Sequence, residues 1–488
     1  MGAHVGLTRR RAAAGLTGVV LVGTLSLGGI TTTTQAIPDS PSTSCAEITK
    51  TFPRGIAVSN KAAERAVRQG FERPQVRKAL YRSNAKRLDK RQRGYLCPVR
   101  PDANADIDST LAPEPGSGAL SPSTNVAPCR LPDLRSTPNL TVGFPVPPER
   151  LPSLGSIPVS VLYVDFPDFP ALPGMLDPVV HFTSFGSGVD AFFENMSYGK
   201  LSFNWSVHPT YIRMPSAIAD YGISRRGGQF DAFMQEVISQ SDPIVDFSGK
   251  QAVVVVLNPS VPESLADVSP AFPHSQVNAF RTDEGPVLNG TLVAGDAQRI
   301  GASVVNHEFG HLFGLTDLYN LSWRPGEAYT EQFKYSGWFD FMSYAPGRAR
   351  EMLGWNRWLL GWVPDEEVRC LVDAGSVDLE INSLSSPTKG PKLAVIPLDS
   401  TRGLVVESRQ RGFYCDICQD GVLVTLIDTG KGTGEGPIQV IRKPTSTEPL
   451  FADAILVPGD VVSFEGITIE NAARSASGHA IRVSRGAS

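Results

Sequence analysis

Histidine is scarce in this chain, with seven in 488 residues, and positive charge is not in excess, since 45 Lys and Arg face 49 Asp and Glu. A formal net charge of -4 lacks the electrostatic footprint of a nucleic-acid binder. No internal repeat of fixed period is present, which excludes solenoids and propellers. Cys415 and Cys418 form a C-x-x-C with no second copy and no thioredoxin-like context, so a structural disulfide is expected there in place of a metal knuckle or a redox motif. With 41% hydrophobic residues, 46 Gly and 39 Pro, the composition is that of a loop-rich globular protein long enough for two or three folded units.

What is present begins with "TRRR" at Thr8 to Arg11, followed by the apolar run "AAAGLTGVVLVGTLSLGGI" and then "TTTTQA", ending at Ala36. That order reads as an export signal over residues 1–36, cleaved near Ala36, and leads to the expectation of a secreted, extracellular protein with no stable membrane insertion. A retained membrane anchor is the alternative. The six cysteines are an even set, so disulfides are the default in an exported chain. From Glu47 to Arg93 basic residues outnumber acidic ones, with Ala, Val and Leu at helical spacing, which predicts one or two short basic helices that are solvated or docked on the acidic remainder. Prolines then recur from Pro98 to Pro152 without an apolar period, marking a linker or an extended wrapping segment.

Regular structure is predicted to start with a buried strand in "IPVSVLYVDFPDFPA" from Ile157. A short helix at Val189 to Asn195, a strand after Gly199, a buried strand in "QAVVVVLNP" from Gln251 and a helix from Arg299 follow. After Pro364 the pattern changes to short alternating runs such as "SVDLEIN", "GLVVESRQ" and "GVLVTLID". The expected class is α+β, with a domain over 156–365 and an all-β, sandwich-like module over 366–488.

The segment "VVNHEFGHLFGLTDLYN", Val304 to Asn320, carries the chemistry. On a helix, positions i and i+4 share a face, so His307 and His311 can hold one ion while Glu308 points to the adjacent side as a general base. Gly314 can end the helix in a left-handed turn and bring Asp317 back as a third ligand. The whole reads H-E-x-x-H-x-x-G-x-x-D, a variant of the metzincin pattern in which histidine more often holds the last place. Chance alone yields H-E-x-x-H in about one such chain in two hundred, and the added Gly and Asp reduce that further. Two surface histidines are a poor alternative, because Val304, Val305, Phe309, Leu312 and Phe313 surround them.

Further along, Met342 lies where metzincins place a Met-turn beneath the zinc, and Tyr344 follows in an M-x-Y arrangement that lets a phenol approach the oxyanion or pack as an ordinary aromatic. Trp338, Trp355, Trp358 and Trp362 crowd the same segment and read mainly as packing.

In "VLYVDFPDFP", "FFENMSYGKLSF", "HEFGHLFGLTDLY" and "GWFDFMSY…GWNRWLLGWV" the chain resembles the immune inhibitor A family of secreted bacterial metallopeptidases. The resemblance covers roughly two-thirds of the sequence, weakening in the β module. It implies a metzincin-like zinc-protease domain, Zn2+ held by His307, His311 and Asp317, Glu308 as catalytic base with Tyr344 as a candidate helper, and protein or peptide substrates cut by a monomeric endopeptidase. It also allows a structural Ca2+, with Asp165 and Asp168 as donors, although two carboxylates fall short of a calcium shell. Two positions depart from the pattern: Thr316 stands where the family has proline, and residues 37–155 have no part that aligns with the family's propeptide although they occupy its place. The alternative function is a secreted surface- or glycan-binding protein with a structural metal site, which the intact Glu308 disfavours.

Overall fold

The computed structural model describes residues 56–68, 75–76, 81–82, 95–97, 122–133, 139–172, 174, 177–224, 228–344, 350–416 and 418–486. The expected signal segment and the basic run Lys86 to Gly94 lie outside them. Two compact units are present, Met1–Asp106 and Ile107–Ser488. No helix among the described residues is long and apolar enough to cross a membrane.

In the first unit, strand β1 (Ile56–Ala57) pairs parallel with β2 (Gln75–Val76) and antiparallel with β3 (Tyr95–Leu96). Helix α1 (Asn60–Arg68) buries Ala62, Ala63 and Ala66 in a cluster with Ala57 and Tyr95, while Lys61 and Arg65 face outward.

The second unit is mixed α/β and built on three main sheets. The first has the order β5-β4-β6-β10-β7, formed by β4 (Gly155–Asp165), β5 (Leu201–Arg213), β6 (Ala252–Leu257), β7 (Ala271–Pro273) and β10 (Asn289–Val293). The hairpin β8 (Phe280–Thr282) and β9 (Gly285–Val287) stands apart from it. Four of its strands run parallel, and only β7 is antiparallel to its neighbour. The Val-rich run of β6 is explained by burial on both faces: Ala252, Val254 and Val256 enter one core, and Val253, Val255 and Leu257 enter the other. Helix α2 (Pro178–Met196) covers the first face and α3 (Phe230–Ser241) the second. α2 is longer than its predicted Val189 to Asn195, because Asp177 caps it by accepting Val180 N–H at 3.0 Å and Pro178 opens its first turn.

The C-terminal strands form two sheets. One has the order β11-β13-β14-β15-β16, from β11 (Val368–Cys370), β13 (Leu393–Pro397), β14 (Arg402–Arg409), β15 (Gly421–Asp428) and β16 (Ile438–Val440). The other has the order β12-β19-β18-β17, from β12 (Gly375–Asn382), β17 (Val461–Phe464), β18 (Ile467–Arg474) and β19 (Gly478–Arg485). Leu404, Val406, Val422 and Val424 pack with Ile467, Ile469, Ile481 and Val483 of the second sheet. The opposite face, with Val395, Val405, Leu423 and Ile427, belongs to the same core as the metal-motif helix. A single sheet thus serves two cores.

The described part of the Pro-rich segment wraps this unit. Leu131, Val142 and Leu151 are buried in the main core, Trp355 Nε1 donates to Val142 O at 2.7 Å, and Cys129 is disulfide-paired with Cys370 across 241 residues. Cys415 and Cys418 form a second pair. Trp355, Trp358 and Trp362 are buried, and their indole N–H groups end on Val142 O, Asp365 and Ser153 O, which is packing chemistry.

Candidate metal centre

The motif occupies a short helix, α5 (Ala302–Leu312), separated by Gly301 from α4 (Gly295–Ile300). Val304, Val305, Phe309 and Leu312 bury one side of it in the main core. The helix ends with paired reverse bonds, Gly314 N–H to His311 O at 2.9 Å and Leu315 N–H to Gly310 O at 2.9 Å. Gly314 sits at φ +93, where a side chain would be strained, and it turns the chain back along the helix. That return delivers two functional groups: Leu315 O accepts from His311 Nδ1 at 2.8 Å, and Asp317 arrives opposite both histidines.

Asp317 Oδ1 lies 3.1 Å from His307 Nε2 and 3.3 Å from His311 Nε2, and the two imidazoles stand at 90° with centroids 4.9 Å apart. Both Nδ1 atoms face backbone carbonyls, Phe341 O at 3.1 Å and Leu315 O at 2.8 Å. A carbonyl can only accept, so each Nδ1 carries the proton and each Nε2 presents a lone pair. Three electron-pair donors therefore converge, and only a cation or extra protons can sit between them. Without a metal, burial opposes charge on the imidazoles, but the Asp317 carboxylate outweighs it and raises both, His311 to about 9. Burial alone would raise the Asp317 carboxyl, yet His311 and His307 hold it well below the usual carboxylate range. Two imidazole nitrogens and one carboxylate oxygen are a donor set that suits a divalent transition metal, zinc and iron included, with a position left open. Among the described residues this is the one group of three or more such donors close enough to share an ion.

Glu308 lies on the adjacent side of α5, beside a cavity of about 360 Å³ lined by Ile300, Val304, His307, Tyr319, Tyr329 and Phe333 among others. Burial raises its carboxyl to about 7, against the lowering effect of His307 and His311.

Met342 is fully buried beneath the helix, with its N–H held by Asp340 Oδ1 at 2.7 Å. Its segment pins the site from two directions. Phe341 O fixes His307, and Met342 O accepts Leu318 N–H, next to Asp317, at 3.0 Å. Asp340 also accepts Leu353 N–H at 2.7 Å and Asn356 Nδ2 at 3.3 Å. A buried charge network braces this floor: Arg409 bonds Glu407, Glu351 and the Phe339 and Met352 carbonyls, and Glu407 accepts the N–H of Gly354, the first residue of α6 (Gly354–Leu359).

Tyr344 is held in an aromatic group with Trp338 and Phe333, at centroid distances of 4.2 and 4.9 Å, and is hydrogen-bonded to Tyr329. It is Tyr329 and Tyr319, neither singled out in the sequence, that line the cavity beside Glu308. Tyr319 follows Asp317 by two residues and was legible only as part of "TDLY". Of the candidate calcium donors, Asp165 pairs through both oxygens with Arg213 at 2.7 Å, and Asp168 accepts Ile218 N–H at 3.1 Å.

The site is thus a two-histidine, one-carboxylate centre on a helix of a mixed α/β unit, with a glutamate beside it. No protein-family model matches the chain, and no curated protein matches it.

Proposed function

We propose that this chain is a secreted zinc-dependent endopeptidase of the metzincin type, resembling the immune inhibitor A family, with a catalytic region followed by a sandwich-like β module. The observation that carries the reading is the convergence of His307 Nε2, His311 Nε2 and Asp317 Oδ1, with Glu308 on the same helix at the wall of a cavity. Zinc, when bound, supplies a Lewis acid that polarises the scissile carbonyl and acidifies water. Glu308 takes the proton from the attacking water and returns it to the leaving amine. The Nδ1 protons of His307 and His311, held by Phe341 O and Leu315 O, fix the tautomer in which each Nε2 would offer its lone pair to a bound zinc. Ile300, Val304 and Phe333 give the cavity beside Glu308 an apolar wall.

The test is Glu308→Gln, which keeps the side-chain shape and removes the base. One zinc per chain and an unchanged fold are expected, with casein digestion reduced by about 10²- to 10⁴-fold. Parental digestion in the variant, or digestion that survives a chelator, refutes the mechanism.

A further inference from the structure

The Asp317 carboxylate is held from a distant part of the chain. The connection between β15 and β16 carries Thr433, whose hydroxyl accepts Asp317 N–H at 2.9 Å and donates to Asp317 Oδ2 at 3.0 Å. Gly434 N–H donates to Asp317 O at 2.9 Å and closes the other side of the same residue. The hydroxyl has one proton to give, and with the Asp317 N–H already on its oxygen that proton is directed at Oδ2. Oδ2 is thereby engaged, and Oδ1 is the oxygen facing both imidazoles.

We infer that Thr433 is a positioning residue of the metal centre: its hydroxyl fixes the Asp317 side chain so that one oxygen, Oδ1, is presented to a divalent cation. The inference rests on the reading of His307, His311 and Asp317 as metal ligands. The connection is itself anchored. Gly434 O accepts Leu321 N–H at 3.3 Å, Ile438 O accepts the Ser336 hydroxyl at 2.7 Å, and Val440 N–H donates to Tyr335 O at 2.9 Å. A carboxylate without this clamp is free to rotate, offering either oxygen or neither, and ordering it must then be supplied at the moment of binding. The β module thus contributes to the site through one hydroxyl and one backbone N–H.

Thr433→Val keeps the side-chain shape and removes the hydroxyl, whereas Thr433→Ser keeps the hydroxyl and removes a methyl. Zinc affinity of the full chain, stripped of metal, is read by competition with a chromophoric chelator, with kcat and KM on a peptide measured beside it. Zinc binding about 10- to 100-fold weaker is expected for the valine variant and within roughly threefold of the parent for the serine variant. At saturating zinc, KM should move less than kcat. A valine variant with parental affinity overturns the inference. So does a serine variant as weak as the valine one, because that outcome assigns the effect to packing. Thr433→Ala takes the place of valine if the valine chain does not fold, with the same expected and refuting results. The affinity measurement needs no proteolysis, so a zinc-binding but inactive parent refutes the endopeptidase reading alone while the affinity ratio still decides on Thr433. A parent without zinc affinity refutes both.

Discussion

Replacing Gly310 by alanine sets two effects of opposite sign against each other. In the helix alone, alanine for glycine at an interior position stabilises by about 1 kcal/mol. In the folded chain the added Cβ would overlap Met342 Sδ and stand 3.1 Å from the Phe341 ring. Met342 is fully buried and its N–H is tied to Asp340, so its side chain has no open space into which to retreat. Overpacking of this kind costs about 1 to 3 kcal/mol, with the flexibility of methionine drawing the figure below the top of that range. Subtracting the helix gain leaves a net loss of up to about 2 kcal/mol. The strain also has a direction. Gly310 lies between His307 and His311, and Phe341 supplies the carbonyl that orients His307, so the displacement acts on ligand geometry. Urea unfolding of the metal-free chain, followed by tryptophan fluorescence, gives the stability change, and chelator competition gives the zinc affinity. Both should fall in Gly310→Ala. A midpoint that rises, as helix propensity alone requires, refutes the close seating of Met342 beneath the helix.

Exchanging Cys129 and Cys370 for serine removes a cross-link spanning 241 residues, which chain entropy alone values at about 5.5 kcal/mol. The double variant should unfold at clearly lower urea than the oxidised parent, and equal midpoints would contradict a role for the bond in stability. Asp340 supplies a pH test. Burial raises its carboxyl from 3.8 to about 6, outweighing the N–H groups of Leu353 and Met342 that favour its charge. The native state therefore holds a proton that the unfolded chain has released, so this contribution to stability is complete below pH 3.8 and is lost as pH rises through about 6. Asp340→Asn does not titrate there. The stability advantage of the parent over the variant should shrink by about 3 kcal/mol between roughly pH 4 and pH 7, and a gap independent of pH refutes the assignment.

What the sequence disclosed was local. His307, Glu308, His311, Gly314 and Asp317 fall within one helix and one turn, where spacing alone determines which groups meet. The strands showed themselves by alternation, or in β6 by an unbroken Val run that signals burial on both faces. What escaped depended on contacts between distant segments. Thr433 is 116 residues from Asp317 and sits in a glycine-rich stretch that carries no motif. The sequence left Tyr344 open between an oxyanion helper and a packed aromatic; its ring meets Trp338 and Phe333, and Tyr319 and Tyr329, which no motif marked, line the cavity. Arg409 and Glu407 end an ordinary-looking alternating strand, and nothing in "GLVVESRQ" reveals that both are fully buried against the floor of the site. The ion pair of Asp165 with Arg213 could not be read from "VDFPDFP", because the arginine lies on a different strand.

The bond between Cys129 and Cys370 also closes a covalent ring. Both histidines, Glu308, Asp317 and Met342 lie inside that ring, while Thr433 lies outside it. The proposed endopeptidase activity would expose the chain to its own cutting, and a single cut anywhere within the ring opens it without releasing a fragment. The severed ends stay tethered at Cys129 and Cys370, and the nick becomes visible as separate pieces only after reduction. Damage to the chain and loss of the chain are thereby made two different events.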